Sequence, residues 1–257
     1  MPNLIQIGRS WSWTAGACFG VREPTLTGTV TVDVSAGTQV ASIEAALPAY
    51  LDEALPQALD GQGAAGRLIA LFAFAQCAIQ RQSRIALTHV TSARRVQGDR
   101  EAASKFEVSV PSADLRASEV AMKWAAGLVN RLATGNLPDA HDERDTVHQA
   151  LKKHANPGLN MFSILSAAHD LDMPVQGLIE ATIVLGTGSR SRWMESSLTD
   201  ATPALAIKIA RSKLATARVL RAAGLPGADN RPVRSAAQAI EAARQLGYPV
   251  VVKPNDL

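Results

Sequence analysis

The sequence predicts a mixed α/β protein: an α+β domain first, then a region in which helices and strands alternate. Three stretches carry that expectation. Leu26–Val34 alternates apolar and polar residues and is rich in β-branched side chains, the pattern of a strand with one buried face. Arg67–Gln82 is a long, strongly apolar helical stretch suited to the centre of a core. From about Asn160 onward, helical segments and short apolar runs take turns.

Bulk properties set the limits. A length of 257 residues leaves room for two domains or one large one. A hydrophobic fraction of 47% with 19% charged residues excludes wholesale disorder. Aromatic residues make up only 4%, so the core must be built from Ala, Leu, Ile and Val. The net charge of +3 suits an anionic ligand but is a poor basis for nucleic-acid binding, and no nucleic-acid partner is expected. Cys18 and Cys77 stand far apart without a CxxC spacing, which points away from a disulfide framework and toward a reducing cytoplasm. The first residues lack a basic stretch leading into an apolar run. The longest uninterrupted apolar segment, Leu68–Ala75, is too short to cross a bilayer, so no membrane partner is expected.

In chain order, Leu4–Ile7 reads as a short strand, followed by Trp11 and Trp13, which would share a face in extended chain and serve packing. The Leu26–Val34 strand precedes a helix over Ser42–Leu59 that Pro48 and Pro56 kink or divide. A loop at Gly61–Gly66 leads into the apolar helix, where Cys77 is a small core residue. Ile85–Val96 is mixed and basic. Lys105–Val110 reads as a strand, and Ala113–Ala133 as an amphipathic helix with Leu115, Val120, Trp124, Leu128 and Leu132 near helical spacing. The expected first domain is 1–135, the linker 136–158 and the second domain 159–257. The linker assignment rests on Pro138, a run of charges and the closing Asn156–Pro157.

In the second part, Met161–Leu171 is a helix and Thr182–Leu185 an apolar strand. Gly186–Arg192 then reads either as a phosphate-binding loop or as a tight turn into a returning strand over Arg192–Leu198. The absence of a following Gly-Lys-Ser/Thr favours the turn. Helices follow at Pro203–Ala210 and at Lys213–Ala223, the latter closed by Gly224, and another is capped by Ser235. The stretch Gln245–Leu257 places Val250, Val251 and Val252 in a short buried strand that ends on Lys253, whose ammonium then needs an anion or water.

Three of these stretches resemble the ATP-grasp ligase superfamily, and within it most closely the cyanophycin synthetase branch. Val184–Thr202 (VLGTGSRSRWMESSLTDAT) is similar to the family's glycine turn, basic return strand and closing T-D-x-T. Ile209–Pro226 (IARSKLATARVLRAAGLP) resembles A-x-D-K-x-x-T-K-x-x-L-x-x-A-G-hydrophobic-P. Ala239–Pro254 (AIEAARQLGYPVVVKP) resembles the helix and strand that end in the nucleotide lysine. The order and spacing of the three together carry the resemblance.

The resemblance implies an ATP-grasp domain of which 159–257 is the first, incomplete part. It implies an ATP-dependent carboxylate–amine ligase that uses ATP and Mg2+, forms an acyl phosphate and acts on an amino acid or an acidic peptide. Lys213 and Lys253 would meet the ATP phosphates, and Arg190 and Arg192 are candidates for contact with an acidic substrate. No catalytic residue and no metal ligand is identified in this chain, because the family's magnesium-binding carboxylates lie beyond Leu257. The chain as given is therefore expected to be an inactive N-terminal fragment.

Two positions depart from the pattern: Ser212 stands where the family has Asp, and Ala217 where a second lysine often stands. Some cyanophycin synthetases are thought to carry a metal-dependent hydrolytic site on an H-x-x-E-H helix in this first region. The helix that would align with it, Arg67–Gln82, has no His and no Glu, so no such site is expected.

The other readings are a different ATP-grasp peptide ligase, or a non-catalytic scaffold that holds a polyanion on the basic face of Arg81, Arg84, Arg94, Arg95 and Arg100. A homo-oligomer is compatible with either. The five histidines show no ligand spacing. They read as surface or linker residues, with His169–Asp170 at a helix end.

Overall fold

The period-two stretch forms β2 (Thr25–Asp33) in a computed structural model that describes residues 4–34, 40–56, 63–88, 91–98, 103–136, 139–156 and 158–256. Leu26, Val30 and Val32 point to one side and are fully buried, as the alternation requires. β2 is central in an antiparallel sheet of order β1-β2-β4-β3, with β1 (Ile5–Thr14), β3 (Ser92–Gly98) and β4 (Ala103–Pro111). β4 supplies Phe106, Val108 and Val110 to the same side. The expected short first strand is therefore longer than Leu4–Ile7. Its register with β2 shifts between Ile7 and Trp11. Trp11 then packs on Gly28, where a Cβ would collide with the indole ring. The Trp13 ring is half exposed and donates its N–H to the Ser112 carbonyl at 3.3 Å.

Three helices share the core with this sheet: α1 (Val40–Leu51), α2 (Gly63–Gln82) and α3 (Leu115–Ala133). α1 runs through Pro48 and stops at Leu51, short of the expected Leu59. Asp52 adopts a positive φ of 49°, which turns the chain before Pro56 is reached. α2 is the most buried element, with Leu68, Ile69, Leu71, Phe72 and Ile79 at 1% exposure or less. Burial of each such side chain contributes about 1.5–3 kcal/mol. By length and composition α2 could cross a membrane, but most of it lies against other protein elements. α3 turns Ala121, Ala125 and Val129 inward, and Leu115 is exposed. Of the large residues picked out by spacing, Leu128 and Leu132 are buried and Val120 and Trp124 pack against the core, while the small residues let the helices approach closely.

The stretch expected as a linker contains a helix, α4 (Ala140–Leu151). Asp139 caps it by accepting the His141 and Asp142 N–H groups at 2.9 and 3.0 Å, and these donors hold its carboxyl below the ordinary aspartate range. Val147 and Leu151, four apart, bury one stripe of this otherwise charged helix against Ile79, Ile85 and Ala121. Next come α5 (Gly158–Asp170) and an antiparallel meander of β5 (Val175–Ile179), β6 (Thr182–Leu185) and β7 (Arg192–Glu195). Met161 and Leu165 of α5 pack with Ile183.

The chain divides into two compact units, Met1–Ser197 and Leu198–Leu257. Mixed α/β architecture is as expected. The second unit holds the two-residue strand β8 (Leu198–Thr199), then α6 (Ala204–Arg211), α7 (Lys213–Ala222) and α8 (Ala236–Leu246). Gly224 at φ 69° closes α7. Its N–H reaches the Arg221 carbonyl and the Leu225 N–H reaches the Leu220 carbonyl, both at 3.0 Å, the paired bonds of a Schellman end. Ser235 caps α8 as expected, accepting from the Gln238 N–H at 3.3 Å.

The expected buried strand at Val250–Val252 is not formed. These residues adopt no regular structure, and Val251 and Val252 are 83% and 72% exposed. A strand exists only where a neighbour supplies ladder bonds and a covering layer, and no described residue of this unit supplies either.

Three histidines expected at the surface are tucked in. His154 pairs with Asp114 at 3.0 Å, and His169 Nε2 lies 3.2 Å from Glu23, with both its ring and the Glu23 carboxylate about nine-tenths buried. Glu23 also accepts the N–H and hydroxyl of Thr88. His148 Nδ1 lies 2.7 Å from Ser83 Oγ, whose proton goes to the Ile79 carbonyl. The structure leaves His89 outside the described residues. Glu23→Ala removes an acceptor shared by two elements and is expected to cost about 2–4 kcal/mol, read as a lower urea midpoint at unchanged slope.

Burial lowers the His148 pKa from its ordinary 6.5. The unfolded chain then binds more protons than the folded one as pH falls through that range. Stability is thus expected to be intact above about pH 6.5 and to fall below it. His148→Gln should flatten that dependence in denaturant titrations at pH 5 to 7.

Candidate functional site

Lys213 and Lys253 are brought together. Both line a cleft of about 470 Å³ whose walls include Thr216, Ala217, Leu220 and Arg221 of α7 and the Leu225–Ala228 turn. Both also line a second cleft of about 410 Å³, bounded by Arg231–Arg234, α8 and the 250–255 segment. Lys213 is the first residue of α7, and Lys253 belongs to the extended tail after α8. The walls are rich in positive charge. Arg221, Arg231 and Arg234 join the lysines, and Asp229 is the one acidic side chain among the residues that line the two clefts. Asp229 is itself committed to Arg221 at 2.7 Å. Such a concentration of cations in a concave surface attracts a polyanion.

The departure at Ser212 has a physical resolution. Its hydroxyl caps α7 by accepting the Ala215 N–H at 3.2 Å. Asp and Ser are comparable caps, so the helix start survives the exchange. Ala217 stands on the cleft wall, where it presents a methyl group in place of a second ammonium.

Arg190 and Arg192 lie in the first unit, on the β6–β7 hairpin. Gly186 and Gly188, at φ 75° and 61°, make the connection between strands, followed by a 3-10 turn over Gly188–Arg190. The glycine stretch is therefore a turn between paired strands, with Leu185 opposite Arg192. Arg190 lies in the turn and Arg192 in the strand. Both side chains are exposed, and Arg192 donates to the Ser191 carbonyl at 2.8 Å.

The basic face of the first unit is partly neutralised. Arg81 is tied to Glu53 at 2.7 Å and stands over Phe74. Arg94 pairs with Glu107 at 2.7 Å, and Arg95 stacks over Phe106. Arg100 lies outside the described residues. Cys77 is fully buried, which pushes its thiol up to about 12 and leaves it unreactive.

Among the described residues, no three His, Cys, Asp or Glu side chains converge into a metal site. Asp256, close to Lys253 in the tail, accepts from the Asn255 side-chain amide at 2.6 Å.

Sequence reasoning missed Asn255. It makes both backbone and side-chain bonds to the start of α7, across more than 40 residues of chain. Nothing local in KPND signals that contact.

No family model matches the chain. Individual relatives do. The chain is 32% identical over 138 residues to a D-alanine–D-alanine ligase from Acidovorax ebreus, a match covering 53% of this chain and 37% of that protein. A D-alanine–D-alanine ligase from Paracidovorax citrulli gives 32% over 139 residues, with 53% and 37% covered. A cyanophycin synthetase from Trichormus variabilis is 30% identical over 145 residues, covering 54% of this chain and 16% of that protein. The match thus takes in well under half the length of each of these curated relatives. Over about half of its own length, this chain is homologous to ligases of the ATP-grasp superfamily.

Proposed function

We propose that this chain carries nucleotide-contacting elements of an ATP-dependent carboxylate–amine ligase that works through an acyl phosphate, with an amino acid or a short acidic peptide as substrate. The observation that carries the reading is the convergence of Lys213 and Lys253, from separate motifs 40 positions apart in sequence, on the same basic clefts.

In the proposed reaction a substrate carboxylate oxygen attacks the γ-phosphorus of ATP, and the bond from that phosphorus to the β-phosphate bridging oxygen breaks, releasing ADP. An amine nitrogen then attacks the acyl carbon, inorganic phosphate leaves, and the amine loses a proton as the amide forms. The two ammonium groups neutralise the triphosphate and take up charge that develops on the leaving oxygens. The turn and strand arginines, Arg190 and Arg192, are assigned to an acidic substrate. Kinship to both ligase types named above supports the general class and leaves the cyanophycin-like branch as the preferred reading.

Titration calorimetry of this chain with ATP tests the assignment. Each of Lys213→Ala and Lys253→Ala should weaken ATP binding by about tenfold to a hundredfold, the effect of losing a charged hydrogen bond, and leave adenosine binding unchanged. Equal ATP affinity in wild type and both variants would remove the lysines from the phosphate site.

A further inference from the structure

The first turn of a helix presents N–H groups with no partner inside the helix. In α7 three of these groups are satisfied by two residues. The Ala215 N–H goes to Ser212 Oγ at 3.2 Å, as in an ordinary cap. The Lys213 N–H donates to the backbone carbonyl of Asn255 at 3.0 Å, and the Leu214 N–H donates to Asn255 Oδ1 at 3.1 Å. The Asn255 amide nitrogen donates to Ser212 Oγ at 3.2 Å. That set of bonds fixes which way round the side-chain amide sits, because the Leu214 N–H can only donate. One residue of the tail therefore caps the helix that begins with Lys213.

Asn255 is two residues beyond Lys253, with Pro254 between them. Proline holds its own φ near −65°, so the link between the cap and the lysine is short and stiff. Val251 and Val252, which precede Lys253, are highly exposed and unpaired in any ladder, so they do little to hold it. The tail is tied down on its far side, by Asn255. Because these helix N–H groups are occupied, an anion in the cleft must be met by the ammonium groups and not by the helix end.

We infer that Asn255 is a positioning residue that straps the tail to α7 and so sets Lys253 beside Lys213 for a shared triphosphate. This rests on the reading of the two lysines as phosphate contacts. The side chain acts through Lys253 and has no phosphate contact of its own.

A double-mutant cycle tests it: ATP and adenosine affinities of wild type, Asn255→Ala, Lys253→Ala and the double variant, with amide hydrogen exchange at Leu214 measured without nucleotide. Asn255→Ala should weaken ATP about fivefold, the size of a typical lost cap, leave adenosine unchanged and speed Leu214 exchange. In the Lys253→Ala background it should cost nothing further, since the group it positions is gone. Additive losses in the double variant, or an unchanged ATP affinity in Asn255→Ala while Lys253→Ala binds weakly, would overturn the positioning role and leave the lysine reading standing. If Lys253→Ala binds ATP as wild type does, the lysine reading falls and the positioning role falls with it, whatever the exchange result.

Discussion

Helix α2 is the element on which the first unit depends. Between Ala65 and Gln80 almost every residue described is buried, polar Gln76 and Gln80 among them. A helix apolar on all sides must be covered on all sides. The sheet covers it through β2 and β4, and α1, α3 and α4 cover the rest. The two glutamines are tolerable because they bond within the helix and to α3. Gln80 donates to Gln76 Oε1 at 2.9 Å and to the Gln76 carbonyl at 3.0 Å, and its own Oε1 lies 3.5 Å from Ser118 Oγ of α3. The same demand explains why 140–151 is a helix: its Val147 and Leu151 close a side of the core that would otherwise face water.

The second unit is organised by charge and by capping more than by apolar burial. Most of its side chains are exposed, and among its described residues Ala243 is the one buried hydrophobic side chain. What it does fix is the start of α7, where bonds from Ser212 and Asn255 hold two distant stretches together. Five cationic side chains around the clefts, with one paired carboxylate, then define a surface whose complement is an anion. In the proposed ligase this division is functional: a rigid helix start presents one ammonium and a stiff strap presents the other.

Much of this was legible residue by residue. Gly224, Ser235 and the alternation around Leu26–Val34 act through local rules, and each does in the structure what those rules require. The motif order around Lys213 and Lys253 led to the same ligase superfamily as the relatives do. The partners of partly buried polar side chains were not legible. Glu23 with His169, Asp114 with His154, and Ser83 with His148 join residues that share no local pattern. The spacing of the histidines shows no ligand pattern and points only to the surface, the linker or a helix end. The Val250–Val252 expectation failed for a related reason: β-branched residues favour extended chain, but pairing decides whether extended chain becomes a strand.

By itself the sequence determined the strands β2 and β4 and the helices α2, α3 and α5 of the first unit, together with the glycine turn and the two lysine-bearing motifs, because periodicity, capping and turn chemistry act over a few residues. Only the tertiary structure decided which side chains meet. It set three partly buried histidines beside distant partners, put one arginine in the turn and the other in the strand, and used Asn255 to cap a helix that starts more than 40 residues earlier. The histidine pairings rest on the partial desolvation of polar groups, which each must find a partner wherever the fold brings one within reach, and the Asn255 cap rests on the unpaired N–H groups that every helix start presents.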